Sequence, residues 1–329
     1  MIKYFIKRLL WTIPVMLGVL VVVFTITYFT PGDPVMTILG TGYTPERYAA
    51  MAHEFGLDKG YFGQIGSYIW NLISQGSFGK SFASNIPIAQ EIAIRFPVTL
   101  KLALLSTFFV VIVGLPLGIL SATKQYSAFD TSLTAVALIL CAVPSFILAL
   151  LSLILFGVKL RWLPISGLDT WKSWILPVAT NALGGIAVLM RMTRTTMLEV
   201  IRQDYIRTAR AKGLKESVVI RRHALQNCLI PVLTVIGSNL TMQLAGAIII
   251  ETIFNINGMG MYLMQGILAR DYPVINGTVI LIAFIVCVMN LAVDLLYALV
   301  DPRIKAQYTS GKRKAKAIRK LRSAKTEVE

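Results

Sequence analysis

No set of side chains in this sequence stands at the spacing of a catalytic or metal centre. The two histidines, His53 and His223, are far apart in the chain. Cys141, Cys228 and Cys287 lie in or beside apolar runs at unrelated spacings, which predicts packing rather than disulfides or metal ligation. Gly79-Lys80-Ser81 ends like a phosphate-binding loop. That loop requires a glycine five residues before Gly79, and Ser74 stands there. The remaining candidates are polar groups set inside long apolar runs: Asn239, Gln243, Glu251, Asn290 and Asp294. Such groups are expensive in hydrocarbon and are functional candidates for that reason. Asn239 and Gln243 share one helix face at i, i+4. They could line a polar pathway and touch amide groups in passing, or hydrogen-bond between helices. Glu251 could meet an amino group of a substrate or pair with Arg270. Asp294 suits pairing with loop arginines, and Lys101 is placed to extend its ammonium toward water.

A different chemistry is offered by Asp204–Pro231, a polar, basic stretch between two apolar runs. It carries Arg207, Arg210, Lys212, Lys215, Arg221 and Arg222, with small residues at Thr208, Ala209, Ala211 and Gly213. Asp204–Leu214 predicts a short amphipathic helix that stops at Gly213 and turns into Leu214–Leu225. Small residues would admit close approach of a partner backbone, and Arg202, Arg207 and Arg210 could meet its carboxylates. A solvated basic loop is the alternative on the same residues.

The elements that position these groups follow from hydropathy. The 329 residues are 56% hydrophobic and 15% charged, with mean hydropathy +0.69, well outside the balance of a soluble domain. Six apolar segments reach the roughly 20 residues that a membrane helix needs. They are Leu9–Thr30, Val98–Ser121, Leu133–Gly157, Ile175–Met192, Leu229–Ile253 and Ile275–Val300. The first is too long for a signal-peptide core and is read as an uncleaved helix. A net charge of +16 is a feature shared with nucleic-acid-binding chains. Its distribution points instead to a membrane. With both termini in the cytosol, 23 of the 32 Lys and Arg residues fall on the inner side, which is the positive-inside asymmetry. The basic tail from Lys312 is suited to anionic lipid headgroups.

The expected organisation is therefore an N-terminal segment with the first helix at 1–30 and an extracytoplasmic loop at 31–97. A five-helix core spans 98–302 and carries the basic loop 202–225, and a basic cytosolic tail covers 303–329. The outer loop predicts helices near Pro45–Phe55 and Gln64–Ser74 and carries aromatics suited to an interface. Trp162, Trp171 and Trp174 lie in a second outer loop. Phe254–Val274, with Gly258, Gly260 and Gly266, reads as a third outer loop able to turn sharply.

The basic stretch resembles the coupling loop, or EAA motif, of ABC importer permeases. Gly213 takes the motif glycine, and Arg207, Thr208 and Ala209 occupy the Glu-Ala-Ala positions. The form DYIRTARAKGL…RHALQN…LIP is similar to the peptide/nickel subgroup. So are FTPGDP (29–34), FGLD (55–58), GSFGKS (76–81), VPSF (143–146), ETIFNINGMG (251–260), RDYPVINGT (270–278) and NLAVDLLYALVDPRI (290–304). The resemblance covers about residues 1–305 and matches the first permease subunit of that subgroup. It implies an all-α, polytopic membrane protein with six transmembrane helices in the type I ABC importer permease fold, located in the bacterial plasma membrane. It implies a homologous second permease, two cytosolic ABC ATPases that hold ATP and Mg²⁺, and an extracytoplasmic substrate-binding protein. The chain itself would carry no cofactor, metal or catalytic residue. Coupling to the ATPases would fall to Tyr205, Arg207, Thr208, Ala209, Arg210, Lys212, Gly213 and Leu214. The substrate pathway would take Asn239, Gln243 and Glu251. Dipeptides or oligopeptides are the implied cargo, with a nickel–chelator complex or another small solute as the alternative. An ion-coupled secondary transporter would need a relay of ionisable groups at mid-depth, and Glu251 and Asp294 are too far apart on different helices to suggest one.

Overall fold

The computed structural model describes residues 2–40 and 43–300, and no β-strand forms among them. The basic tail 303–329 lies outside the described residues. Helix α1 (Ile2–Phe29) is apolar along most of its length and leaves Leu10, Val22, Ile26 and Phe29 exposed. Three short helices then form a cap: α2 (Pro34–Leu39), α3 (Pro45–Glu54) and α4 (Tyr61–Gln75). Their starts have local causes. The Asp33 carboxylate accepts from the N–H groups of Val35 and Met36, and the Thr44 hydroxyl accepts from Arg47. A proline follows each cap at the first helical position, where its missing N–H costs nothing. Helix α4 ends at Gly76 in the left-handed conformation, φ 61°. The two expected cap helices are present. Helix α2 arises because Pro31-Gly32-Asp33-Pro34 serves as a helix start as well as a turn.

Helix α5 (Ile88–Phe109), a π turn at Val110–Gly114 and α6 (Leu115–Thr123) make one continuous apolar rod. It begins well before Val98, with Pro97 inside it. The next apolar segment departs from expectation. Helix α7 (Ala128–Ala142) and α8 (Ser145–Ser152), with its π extension Leu153–Lys159, meet at a 100° bend. Leu133–Gly157 is therefore a broken pair rather than one straight span. Pro144 is the cause: it drives Val143 out of the helical region, to φ −84° and ψ 123°.

A 3₁₀ turn at Trp171–Trp174 leads into α9 (Ile175–Ile201), the central helix, which packs against α5, α6, α7, α8 and α12. The chain continues through α10 (Asp204–Ala211), α11 (Glu216–Val218), a π turn at Val219–Ala224 and α12 (Leu225–Gly246). It ends the described region with α13 (Ile248–Ile253), α14 (Met259–Ala269) and α15 (Tyr272–Val300). Two more expectations are corrected here. The segment Leu229–Ile253 breaks at Ala247, and Phe254–Val274 contains a helix instead of an open loop. Five helices among the described residues are long and apolar enough to cross a membrane, and six when the bent pair is counted as one span.

Small residues let α6 and α9 close on each other. A Cβ added at Gly118 would stand 2.6 Å from the Thr193 Cβ and 2.7 Å from the Met190 carbonyl oxygen. The Gly114-x-x-x-Gly118 spacing is thus a helix-packing device.

Candidate docking helix and buried polar groups

Helix α10 is amphipathic at short range. Ile206 and Ala209 turn inward and are buried in a cluster with Ala122 of α6, Met197 of α9 and Cys228 of α12. Val219, Ile220 and Ala224 of the π turn complete that seat. The opposite face exposes Tyr205, Arg207, Thr208 and Arg210, and the following turn exposes Lys212, Gly213 and Leu214. Of the residues expected to couple, Ala209 alone belongs to the buried side. The helix stops where Gly213 adopts φ +75°, with its N–H donating to the Arg210 carbonyl at 2.9 Å. That left-handed ending favours glycine because an L side chain is strained there. A Cβ at Gly213 would meet nothing within 4 Å in this chain, so its intramolecular requirement is conformational. Arg210 forks onto Glu216 at 3.1 and 2.6 Å and closes the turn. The Glu216 carboxylate holds the Arg210 guanidinium above its ordinary pKa. Both side chains are substantially exposed, so the pair shapes the turn more than it stabilises the fold. Arg207 lies 3.9 Å from Asp204.

A ladder of polar groups crosses the bundle. The Asn239 carbonyl oxygen accepts from Gln243 Nε2 at 2.6 Å. Gln243 Oε1 accepts from Asn181 Nδ2 at 2.9 Å, and the same amide nitrogen donates to Ser106 Oγ at 3.2 Å. Ser106, Asn181 and the Asn239–Gln243 pair lie on α5, α9 and α12, so the ladder joins three helices. Gln243 is buried and Asn239 half-buried. Every member is neutral, and each can hydrogen-bond without holding an ion. Ser106 and Asn181 were not singled out from the sequence, although both are polar residues inside apolar segments.

Glu251 occupies a different environment from the one expected. It is fully buried on α13, and its carboxylate accepts from Thr99 Oγ1 at 2.6 Å and from the Met261 N–H at 3.0 Å. Thr99 in turn accepts from the Met259 N–H at 2.9 Å. The first N–H groups of α14 are thereby satisfied by a carboxyl group and a hydroxyl from two other helices. Glu251 meets neither open space nor Arg270. The Arg270 guanidinium instead packs beside Gly32, where a Cβ would lie 1.9 Å from it.

The structure also shows a strong ion pair outside the sequence candidates. Arg194 on α9 forks onto the buried Asp130 of α7 at 2.7 and 2.8 Å. Ser121 and the Tyr126 N–H donate to the same carboxylate. Asp294 pairs with Arg8 of α1, and Asn290 accepts from Thr241. Lys101 places its ammonium 4.4 Å from the Trp174 ring centre. In the cap, Ser81 donates to the buried Asp271 at 2.6 Å, and the Ala83 N–H donates to the same oxygen at 3.2 Å. The serine of Gly79-Lys80-Ser81 thus ties the cap to the start of α15.

A family model described as a binding-protein-dependent transport system inner membrane component matches residues 114–306. The corresponding N-terminal model matches residues 1–103. The chain belongs to this permease family. Among the permease's relatives, a protein of Brucella abortus (strain 2308) named for a peptide transport system is 43% identical over 307 residues, covering 91% of this chain and 98% of its own. The dipeptide transport system permease protein DppB of Escherichia coli (strain K12) is 38% identical over 337 residues, covering 93% and 99%. A solved inward-facing structure of the MetNI methionine ABC transporter aligns with a TM-score of 0.57 at 19% identity, over 65% of this chain and 97% of that one. The likeness assigns the permease the type I ABC importer fold. It is a multi-pass protein of the inner membrane.

Proposed function

We propose that this permease imports peptides as one half of a transmembrane pathway completed by a homologous second permease. An extracytoplasmic binding protein delivers the cargo on the cap side. Two cytosolic ATPases, which hold ATP and Mg²⁺, supply the work. One of them seats on α10, which places both chain termini in the cytosol. The observation that carries this reading is the division of α10 and its following turn into a buried stripe and an exposed face of Tyr205, Arg207, Arg210 and Leu214. Movement of a docked ATPase would reach the bundle through Ile206 and Ala209, because their cluster draws on α6, α9 and α12 together. ATP favours whichever membrane conformation binds it more tightly, and only that difference shifts the populations.

Peptide cargo is supported by the names of the relatives and by the chemistry of the ladder. Ser106, Asn181, Asn239 and Gln243 offer neutral donors and acceptors that suit passing amide groups. Weak, exchangeable contacts of that kind let cargo leave as well as enter.

The test is co-purification of the ATPases with the permease from membranes, paired with ATP-dependent uptake of a labelled dipeptide. Tyr205→Ala with Leu214→Ser should reduce ATPase retention and uptake together. Full retention and normal uptake in that double variant would overturn the docking assignment.

A further inference from the structure

We propose that α4 of the cap is an interfacial helix whose bare apolar side rests in phospholipid, in the membrane leaflet on the cap side. At roughly 100° per residue, Phe62, Gly66, Trp70 and Ile73 project within about 80° of one another. Phe62 is 83%, Trp70 69% and Ile73 76% exposed, a large apolar surface for a segment placed outside the bilayer. The adjoining arc of the same helix is covered: Tyr61, Ile65, Tyr68 and Leu72 pack with Leu20 and Phe24 of α1. The far side is polar, and Gln64, Ser67 and Asn71 line a cavity of about 720 Å³ that the cap shares with the end of α1 and the start of α15. Helix α4 therefore has one wet side, one side packed on protein and one apolar side without a partner. That pattern belongs to helices lying at a membrane surface.

Two observations select lipid over a protein partner. The bare side of α4 is continuous with the apolar surface of α1. Tyr61 donates or accepts at Thr25 Oγ1 over 2.8 Å and packs its ring 5.2 Å from Tyr28 and 6.2 Å from Phe29. Phe29 and Ile26 are themselves 71% and 61% exposed on a helix that faces the bilayer. Second, residues 60–79 contain no charged side chain, while Lys59 and Lys80 bracket them. A docking surface for a soluble protein carries a polar rim and complementary charge. An uncharged strip ending in lysines, with a tryptophan among its exposed residues, matches the interfacial zone of a bilayer.

The test uses the complete transporter reconstituted in phospholipid nanodiscs. A nitroxide is attached in turn to Phe62→Cys, Trp70→Cys, Ile73→Cys and Ser67→Cys in a background carrying Cys141→Ala, Cys228→Ala and Cys287→Ala. Spin relaxation by oxygen, which concentrates in lipid, is compared with relaxation by a water-soluble nickel chelate. Labels at 62, 70 and 73 should respond several-fold more to oxygen than to the chelate, and the label at 67 should show the reverse. Two results overturn the proposal. A chelate response at 62, 70 and 73 equal to that at 67 means that this side faces water. Protection from both reagents means that another protein covers it. If the labelled variants fail to assemble, wild type and Trp70→Phe are compared in nanodiscs containing brominated lipid. A quenched component present in wild type and lost in Trp70→Phe supports the proposal, and equal quenching in both overturns it.

Discussion

The Asp130–Arg194 fork joins the start of α7 to the lower part of α9, and removing either partner strands the other. Asp130→Ala would leave Arg194 without its acceptors inside a packed bundle. Breaking such a pair costs about 3–5 kcal/mol when both groups are buried. Arg194 keeps 23% exposure, which puts the expected loss near the lower figure. Thermal unfolding of the solubilised complex should show it, and Asp130→Ala with Arg194→Leu should recover part of the loss. Gly213 calls for a different comparison. Its φ of +75° costs an ordinary L residue about 1–2 kcal/mol, whereas asparagine tolerates that region better. Gly213→Asn should leave α10 intact and Gly213→Val should fray its end, as amide exchange would register. If Gly213→Asn nevertheless loses ATPase retention, a partner backbone approaches the position closely. Within the ladder, Gln243→Leu removes the acceptor for Asn181 and the donor to Asn239. Uptake of labelled dipeptide should fall more than complex assembly does, and unchanged uptake would leave Gln243 a packing residue.

Among elements, the α6–α9 contact leaves little room for added atoms. A Cβ at Gly118 falls within 2.6 Å of Thr193, against a closest approach of 3.1 Å at Gly114. Gly118→Ala should therefore destabilise by about 1–3 kcal/mol through overpacking, and Gly114→Ala should cost less in the same thermal assay. Helix α10 was readable in the sequence because local signals sufficed: a polar, basic composition, small residues and a glycine stop. Its inward stripe was less readable, since Ile206 and Ala209 are defined by α6, α9 and α12. Helix α14 was hidden because Gly258, Gly260 and Gly266 read as turn residues. Gly260 and Gly266 serve close packing, with a Cβ at Gly260 lying 2.5 Å from the Ile248 Cα and one at Gly266 2.6 Å from Val274. Gly258 leaves room for the Glu251 carboxylate, 2.4 Å from its would-be Cβ. The bend at Pro144 was hidden for the opposite reason: the apolar run continues across it without a polar interruption. Glu251 and Asp130 find their partners more than 60 residues away in sequence, at Thr99 and Arg194, where local pattern carries no information.

On the scale of the whole molecule, the cap is fastened to the bundle by a few polar ties. Ser81 and the Ala83 N–H hold Asp271, Tyr272 donates to the Gly32 carbonyl oxygen, and the Tyr61 and Thr25 hydroxyls share a hydrogen bond. Asp271→Ala removes the first two at once and uncaps α15. Limited proteolysis from the cap side should then cut within 31–87 faster, while α10 and its ATPase stay associated. At the other end of the molecule, the π turn at Val219–Ala224 stands between the seat of α10 and the long α12. A π turn is a helical stretch carrying one residue to spare. Rewinding the same residues as ordinary α-helix would lengthen the connection by about 1.5 Å and rotate what precedes it by about 100°. Val219 and Ile220 could not then share a cluster with Ile206 and Cys228. That surplus residue acts as a phase-setter: it fixes the angle at which a push on the loop is delivered to the transport helix. Inserting one alanine after Arg221 should accordingly preserve helicity by circular dichroism while putting ATP hydrolysis out of step with uptake.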